Sequence, residues 1–297
     1  MRLKQRIIRY LIYIFTRLFS YFVLILPYST AVWLGGVLGF LSGKILHSAR
    51  HMVLENLSLA FPDKTKQELN KITSKMFEHL GKSLFEFLWS PRFTKKFLDS
   101  IVETQGFEHI DKALEQGKGV IFLASHTGNW ELMAMNVALS GYPVYVVAKR
   151  IYDDRLNDIL VSYRESKGVM SILRTESTKI IVKALNNSET VGMLIDQDTK
   201  VKGCFVDFFG HRAYTASAPA VLALKYNVDV LPVFITRINN SKHKMIVHPR
   251  VDINVTGDHQ KDIIENTQKF NNIIEQAIRK CPSQWVWIHK RWKTKEF

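Results

Sequence analysis

The sequence predicts an α/β protein in which an open, mixed sheet is flanked by helices and preceded by a hydrophobic helical element. From Gln105 onward, short apolar runs alternate with segments of helical periodicity, which is typical of a sheet covered on both faces. Residues 1–46 are far more apolar than the rest of the chain. No repeat or Gly/Ser linker interrupts residues 47–297, so we expect one large domain there and a membrane-associating helical segment over 1–46.

The N-terminal segment has the composition of a membrane helix. A basic stretch from Arg2 to Arg9 precedes the apolar run Tyr10–Leu26, and Arg17 interrupts that run. A helix over this run and its flank would be roughly 30 Å long, enough to cross a bilayer. Because Arg17 interrupts the apolar stretch and no clean small-residue cleavage site follows, a cleavable signal peptide fits poorly.

The charges flanking this segment favour a hairpin. Basic residues lie on both sides, Arg2 to Arg9 before it and Lys44 and Arg50 after it, and the positive-inside rule places both flanks in the cytosol. A helical hairpin turning at Pro27, or helices lying in the interface of the cytoplasmic leaflet, satisfies that rule. A single span and a buried core hairpin of a soluble protein are the alternatives.

The remaining elements follow from periodicity. Thr65 and Glu68 form a capping-box pattern that opens one helix. We predict strands at Val120–Ala124, Val144–Ala148, near Ile172, at Val191–Ile195, Val230–Arg237 and Lys244–His248, with a Gly-rich loop after the fourth strand. Helices are predicted near Glu108–Gln116, after the first strand to Ser140, around Asp154–Ser166, near Lys179–Asn186, at Ala216–Tyr226 and near Lys261–Lys280.

Composition restricts the partners and the chemistry. The 41 basic and 27 acidic residues give a formal net charge of +14, which points to an anionic partner such as nucleic acid, an anionic membrane or an acidic protein. The two cysteines are too few for a disulfide framework or a four-ligand zinc site. Serine-hydrolase elbows, P-loops and zinc patterns are all missing from the sequence.

The hexapeptide from His126 to Glu131 has the pattern of a catalytic turn. It lies between a predicted buried strand and a predicted helix, and Gly128 allows a tight backbone path there. Asn129 can cap the helix, and Glu131 falls in its first turn, where the helix dipole favours a carboxylate. A Glu in that position could reach back and hold the imidazole, which would make His126 a general base. A structural His bonded to backbone is the alternative.

Other candidate residues follow predicted strands. Lys149 and Arg150 come after the second strand, and Arg164 lies on the next helix; guanidinium groups there suit phosphate recognition, whereas a solvated basic face is the alternative. Asp196 and Asp198 end the strand at Val191–Ile195, where ligands bind in open α/β sheets. Two carboxylates without further nearby ligands give only weak support for a divalent metal, so we assign none.

These motifs together resemble a known family. The hexapeptide resembles the H-x4-D/E signature of the glycerolipid acyltransferase superfamily, and its form H-T-G-N-W-E is similar to the bacterial lipid A late acyltransferases of lauroyl and myristoyl type. The similarity extends through N-L-x-L-x-F-P at 56–62, Arg164 before Gly168, D-Q-D at 196–198, F-x-x-F-F-G at 205–210 with Thr215, and P-x-Q-W-x-W-x-H-K-R-W at 282–292. Only hydrophobic character matches in the N-terminal region.

The resemblance implies the acyltransferase fold, with 47–297 as the catalytic domain, and transfer of a fatty acyl chain from acyl carrier protein to a hydroxyl of a lipid A precursor. His126 and Glu131 would be catalytic, and backbone N–H groups around Gly128 and Asn129 would bind the oxyanion. Substrate-binding residues would be Asn129, Arg164 on its helix, and four residues that follow strands, Lys149, Arg150, Asp196 and Asp198. Arg164 would bind a phosphate or another anion, and the two acids would organise basic residues or sugar hydroxyls.

The expected partners are acyl carrier protein, an anionic glycolipid and the cytoplasmic leaflet of the bacterial inner membrane, with no nucleic acid and no cofactor beyond the thioester. The alternatives are another acceptor, such as a phosphatidylinositol mannoside, a lysophospholipid or an aminolipid. From a different class, a basic membrane-associated binding protein would need only the charge and the aromatic residues of the tail.

Overall fold

The computed structural model describes residues 3–173 and 177–296. It contains eleven α-helices and nine strands within that part of the chain. The helices are α1 (Leu3–Ile25), α2 (Tyr28–Ile45), α3 (His47–Ala60), α4 (Lys66–Trp89), α5 (Lys95–Ile101), α6 (Phe107–Leu114), α7 (Trp130–Leu139), α8 (Asp154–Glu165), α9 (Ser177–Asn186), α10 (Ala218–Tyr226) and α11 (His259–Lys280). The strands are β1 (Val102–Gln105), β2 (Val120–Ala124), β3 (Val144–Ala148), β4 (Val169–Leu173), β5 (Thr190–Leu194), β6 (Gly203–Phe208), β7 (His211–Ala216), β8 (Asp229–Arg237) and β9 (His243–Val247).

Seven strands form one mixed sheet in the order β1-β9-β8-β2-β5-β3-β4. Strand β2 runs parallel to both of its neighbours, β5 and β8, while β9 runs antiparallel to β8. The predicted α/β class with an open, mixed sheet is therefore confirmed. The carboxyl ends of β2, β5 and β8 and the start of β9 meet at one edge of the sheet, which brings together side chains that are far apart in the sequence.

Both faces of the sheet are covered by apolar cores. Successive residues of β2 alternate between them: Ile121 and Leu123 pack into one core, whereas Val120, Phe122 and Ala124 pack into the other. All five residues of β2 are buried, which explains why its sequence is an unbroken apolar run.

The predicted Thr65–Glu68 capping box is present at the start of α4.

The prediction of a Gly-rich loop after β5 is wrong, because β6 and β7 form an antiparallel hairpin there. Phe208 pairs with His211, so the connection is the two residues Phe209 and Gly210, which have φ of 53° and 75°. Positive φ at both positions suits a two-residue hairpin turn, and Gly210 adopts it without strain. The prediction failed because a non-glycine residue at the first turn position gives no clear hairpin signal. Strand β1 was also not predicted.

Helices α1 and α2 are separated by a break at Pro27, where the hairpin model places its turn. Helix α1 contains a stretch, Gln5–Ile25, that is long and apolar enough to cross a membrane. Only 11% of the residues in the most apolar part of this stretch are buried within the protein. Helices α2 and α3 meet at an angle of 90°, and taken together they are also long and apolar enough to cross a membrane. Large apolar side chains exposed on α1 and α2 include Leu11, Phe15, Leu18, Ile25, Trp33 and Ile45.

Helix α2 packs closely on α4 through glycines on both helices. Gly35, Gly36, Gly39 and Gly43 are buried on one side of α2. A Cβ atom added to Gly81 of α4 would lie 2.1 Å from the Gly35 carbonyl oxygen and 2.7 Å from the Gly39 Cα atom. The backbones of the two helices are therefore in direct contact, so the segment 1–46 is attached to the rest of the protein by packing as well as by the chain.

We predict that Gly81→Ala lowers the free energy of unfolding by roughly 1–3 kcal/mol, because the added methyl group must push α2 away from α4. Thermal unfolding in detergent measures this. Gly192→Ala is the matched control, since a Cβ atom at Gly192 meets no atom closer than 3.6 Å. Equal stability of the two variants would contradict the close α2–α4 contact.

Candidate active site

His126 and Asp196 are brought together by the register of β2 and β5. These neighbouring strands are parallel, and Ala124 of β2 pairs with Leu194 of β5. His126 and Asp196 each follow their strand by two residues, so they leave the sheet side by side at its carboxyl edge. The structure thus places a base and a carboxylate together that are 70 residues apart in the chain.

The Asp196 carboxylate holds both the ring and the backbone of His126. Its Oδ1 atom lies 2.8 Å from His126 Nδ1, and its Oδ2 atom accepts the His126 backbone N–H at 2.7 Å. An ionised carboxylate can only accept, so the Nδ1 atom carries the proton and Nε2 is the basic nitrogen. The His126 side chain is 23% exposed, whereas that of Asp196 is fully buried. This arrangement suits a general base.

Trp285 completes the surroundings of Asp196. Its indole Nε1–H donates to Asp196 Oδ2 at 2.6 Å, and the whole residue is buried. Burial raises the pKa of Asp196, but the adjacent His126, through its charge and hydrogen bonds, and the Trp285 N–H together hold that pKa below its usual value. Asp196 is therefore ionised at neutral pH and able to stabilise an imidazolium.

The expectation that Glu131 holds the imidazole is corrected by this geometry. Glu131 accepts two hydrogen bonds from Arg164, from Nε at 2.8 Å and from Nη2 at 2.6 Å, and both side chains are largely buried. Glu131 lies in the first turn of α7, and it faces the last turn of α8, which carries Arg164. A bidentate ion pair of this kind fixes the start of α7 relative to α8.

Because its Nε and Nη2 atoms are engaged by Glu131, and Nη1 lies 3.4 Å from Ser171 Oγ, the Arg164 guanidinium faces protein partners. Its binding to a substrate anion stays a prediction, as does the catalytic role of Glu131.

Asn129 is buried and acts within the protein, which corrects its placement among the substrate contacts. Its Oδ1 atom accepts the Leu132 backbone N–H at 3.1 Å, so it is the N-cap of α7, as its position predicted. Its Nδ2 atom donates to Glu86 at 2.7 Å. Glu86, on α4, is fully buried and also bonded to Arg237 of β8 and His243 of β9.

The C-terminal tail lies against the His126 turn through an isolated β-bridge. Thr127 forms an antiparallel bridge with Trp285, and the Val286 backbone N–H donates to the His126 carbonyl. The Gly128 N–H donates to the Gln284 carbonyl oxygen at 2.8 Å, so it is not free to bind an oxyanion as we expected. Gly128 has φ of 65°, and a Cβ atom there would lie 1.8 Å from the Ile235 carbonyl oxygen, so the turn requires glycine.

The other predicted binding residues are found in two places. Asp198 is buried, and its carboxylate accepts hydrogen bonds from the Thr294 N–H and hydroxyl groups, so in the structure it anchors the tail. Lys149 and Arg150 are exposed after β3, and Arg150 forms an ion pair with Asp154 at 3.0 Å. The contribution of all three to substrate binding stays a prediction.

Sequence reasoning placed Asp196 at the site but missed its role as the partner of His126. The order of the strands carries that information, and nothing in the sequence states that β5 lies beside β2. The roles of Trp285 and Glu86 were also missed, because an indole in an aromatic tail and a Glu inside an amphipathic helix have no distinctive local pattern.

The model of the family described as bacterial lipid A biosynthesis acyltransferase matches residues 2–294. The chain belongs to this family. It is 27% identical over 278 residues to the lipid A biosynthesis lauroyltransferase of Escherichia coli (strain K12), which covers 91% of this chain and 87% of that protein. The palmitoleoyltransferase of the same organism is 26% identical with the same coverage. A phosphatidylinositol mannoside acyltransferase of Mycolicibacterium smegmatis is 24% identical over 189 residues, 62% of this chain and 60% of that protein.

The family membership makes the protein an acyltransferase, and it confirms the resemblance drawn from the sequence. In this family member, the His126–Asp196 pair has the geometry that deprotonation of an acceptor hydroxyl requires. Together with the apolar helix α1, the family also suggests association with a membrane.

We expect Asp196→Asn to lower kcat by about a thousand- to ten-thousand-fold, because an amide N–H donor facing Nδ1 would favour the wrong tautomer of His126. Acyl transfer by the purified variant measures this. Asp262→Asn is the matched control: Asp262 is a buried carboxylate that accepts hydrogen bonds from Thr256 at the start of α11. Turnover of Asp196→Asn close to that of this control would exclude a role for Asp196 at the base.

The buried His79 of α4 gives a prediction on stability. Burial, with a smaller effect of the Arg237 charge, lowers the pKa of His79 to about 3, whereas an exposed His in the unfolded chain has a pKa near 6.5. The unfolded state therefore binds the extra proton as pH falls, so this group reduces stability below about pH 6.5, by at most about 1.4 kcal/mol per pH unit.

His79→Gln should flatten the dependence of the unfolding free energy on pH between about 6.5 and 4, as measured by denaturant unfolding in detergent. Thr73→Ser, at a buried position of α4 that carries no titratable group, is the control and should leave that dependence unchanged. A slope in His79→Gln equal to that of the wild type would show that His79 is protonated as readily in the folded state.

Proposed function

We propose that the protein transfers a fatty acyl chain from the thioester of acyl carrier protein to a hydroxyl group of a lipid A precursor. The observation that carries the proposal is the partly exposed His126 ring held at Nδ1 by the buried Asp196 carboxylate. Relatives that cover 91% of this chain are named for transfer of lauroyl and palmitoleoyl groups in lipid A biosynthesis.

The chemistry needs one base that later acts as an acid. Nε2 of His126 takes the proton from the acceptor hydroxyl as its oxygen attacks the thioester carbonyl carbon. The tetrahedral intermediate collapses with cleavage of the carbon–sulfur bond, and the imidazolium returns its proton to the sulfur. The products are the ester and the free thiol of the carrier. Asp196 keeps the Nδ1 proton in place and stabilises the imidazolium between the two steps.

Glu131 has a different role in this scheme from the one expected. Its ion pair with Arg164 holds the first turn of α7 directly after the His126 turn. Breaking a buried ion pair by removal of one partner costs about 3–5 kcal/mol, so replacement of Glu131 would disturb the turn without touching the substrate. A Glu131 variant is therefore expected to lose activity because the His126 turn is displaced.

The charge and the N-terminal helices support the partners proposed here. A formal net charge of +14 favours both an acidic carrier protein and an anionic glycolipid. The apolar faces of α1 and α2 would lie in the cytoplasmic leaflet of the bacterial inner membrane, with the catalytic domain in the cytoplasm. Lys149 and Arg150, which are exposed after β3, are the basic groups that we propose contact anionic substrate.

A second acceptor is favoured by one observation. Proteins named as phosphatidylinositol mannoside acyltransferases, which act on another glycolipid, are 24–26% identical over 62–63% of this chain. Because these relatives match a smaller share of the chain than the lipid A enzymes do, we place a mannoside second among the proposed acceptors. A binding protein without activity is disfavoured, because the family consists of acyltransferases.

The test is mass spectrometry of total lipids from a strain that lacks the gene, complemented with either the wild type or His126→Ala. We expect lipid A to lose one acyl chain in the deletion strain, to regain it with the wild type, and to stay underacylated with His126→Ala at equal protein level. Unchanged lipid A in the deletion strain would refute the proposed acceptor, and an altered mannoside would identify the second one. Rescue by His126→Ala would refute the proposed base.

A further inference from the structure

A second carboxylate with many hydrogen bonds, Glu86, lies outside the His126–Asp196 pair. Glu86 of α4 is completely buried and accepts five hydrogen bonds, all from side chains distant in the sequence. Tyr28 Oη, Arg237 Nη1 and His243 Nε2 bond to Oε1 at 2.8, 2.8 and 2.9 Å. Asn129 Nδ2 and Arg237 Nη2 bond to Oε2 at 2.7 and 2.6 Å.

The orientation of this carboxylate is fixed. Arg237 binds both oxygens in a bidentate pair that balances the buried charge. Leaving such a charge unpaired in the interior costs several kcal/mol, so the pair resists rotation of either group. The direction of Oε2, which is the atom that receives Asn129, is therefore set by β8 and not by the catalytic turn itself.

Glu86 in turn fixes the side-chain amide of Asn129. A carboxylate can only accept a hydrogen bond and a backbone N–H can only donate one, so the amide has a single compatible orientation between Glu86 and Leu132. In that orientation Asn129 caps α7 and is tied to α4. Asn129 lies between His126 and Glu131 in the turn, and the adjacent Trp130 ring lies edge-on to the His126 ring, with 5.0 Å between the centroids.

We propose that Glu86 is a positioning residue for the acyl-transfer reaction, which acts through Asn129 to set the place of the His126 turn. The proposal rests on the proposed role of His126 as the base. A misplacement of about 1 Å of a catalytic group can cost about a hundredfold in rate. Glu86 therefore affects turnover more than substrate binding.

The test combines the variants Glu86→Gln and Asn129→Ser, singly and together. Ser keeps an N-cap acceptor for the Leu132 N–H but has no amide to donate to Glu86. We expect each single variant to lower kcat about 10- to 100-fold with KM changed less than threefold, in an assay with acyl carrier protein thioester and lipid acceptor. The double variant should lose no more than the more impaired single variant, because both changes break the same contact.

Asn266→Ser is the matched control. Asn266 is fully buried on α11, and its amide bonds to the backbone of Asn254, so the same substitution removes a buried amide away from the turn. We expect it to lower thermal stability and to leave kcat within twofold of the wild type. If Glu86→Gln does not fold, the kcat of Asn129→Ser alone tests the proposal. The proposal is overturned if Asn129→Ser keeps wild-type kcat, or if the losses of the two single variants multiply in the double variant.

A second measurement separates this proposal from the proposed substrate. The Nδ1 proton of His126, held by Asp196, should give a downfield proton resonance that is assigned by its loss in His126→Ala. Asn129→Ser should shift or broaden this resonance, and Asn266→Ser should not. If the wild type acylates no lipid A precursor, the proposed function fails, and this resonance still tests the positioning role. An unchanged resonance in Asn129→Ser would overturn it.

Discussion

The hydrogen bonds that His126 donates to the Asp196 carboxylate are the constraint on which the site depends. One oxygen accepts the ring N–H and the other accepts the backbone N–H, so the side chain and the turn are fixed by the same group. The carboxylate is fully buried, and burial alone would raise its pKa, whereas the His126 and Trp285 donors hold that pKa below its usual value. The same donors that fix the turn therefore also keep Asp196 ionised.

The contacts around this pair involve the aromatic and basic segment at 282–294. Trp285 donates to the second Asp196 oxygen, and the backbone on either side of Trp285 bonds to residues 126–128. Asp198 accepts hydrogen bonds from Thr294, and Asn56 of α3 donates to the backbone carbonyls of Trp287 and His289. The pattern of the aromatic and basic tail is also compatible with an exposed binding motif. In the structure, however, Trp285, Trp287 and Arg291 are buried, and the backbone around Trp285 holds the His126 turn in place.

The sequence predicted the elements better than the contacts between them. Strand β2 and the N-cap Asn129 follow from local patterns, and the structure has them where they were predicted. The choice of carboxylate for His126 was wrong, because it depends on which strands are neighbours. Glu131 is five residues from His126 and was the obvious candidate, yet its position in the first turn of α7 directs it to Arg164. Asp196 is adjacent only in the folded sheet.

Two glutamates connect the His126 turn to the surrounding elements. Glu131 connects the start of α7 to α8 through Arg164, and Glu86 connects the N-cap of α7 to α4, β8 and β9. Each is paired with an arginine, which keeps the buried negative charge balanced. Hydrogen bonds of these two glutamates thus connect the start of α7, directly after the His126 turn, to both α8 and α4.

The same network reaches the apolar N-terminal helices. Tyr28, the first residue of α2, donates to the Glu86 oxygen Oε1, while Asn129 donates to Oε2, so one carboxylate lies between α2 and the catalytic turn. The glycine contacts between α2 and α4 leave the two helices little freedom to move apart. The exposed apolar face of α2 and the His126 ring are consequently held in a fixed relation. Because the family acts in lipid A biosynthesis, this is the relation that an acyltransferase with a lipid acceptor would require: an apolar surface that meets the lipid and a base whose distance from that surface does not change.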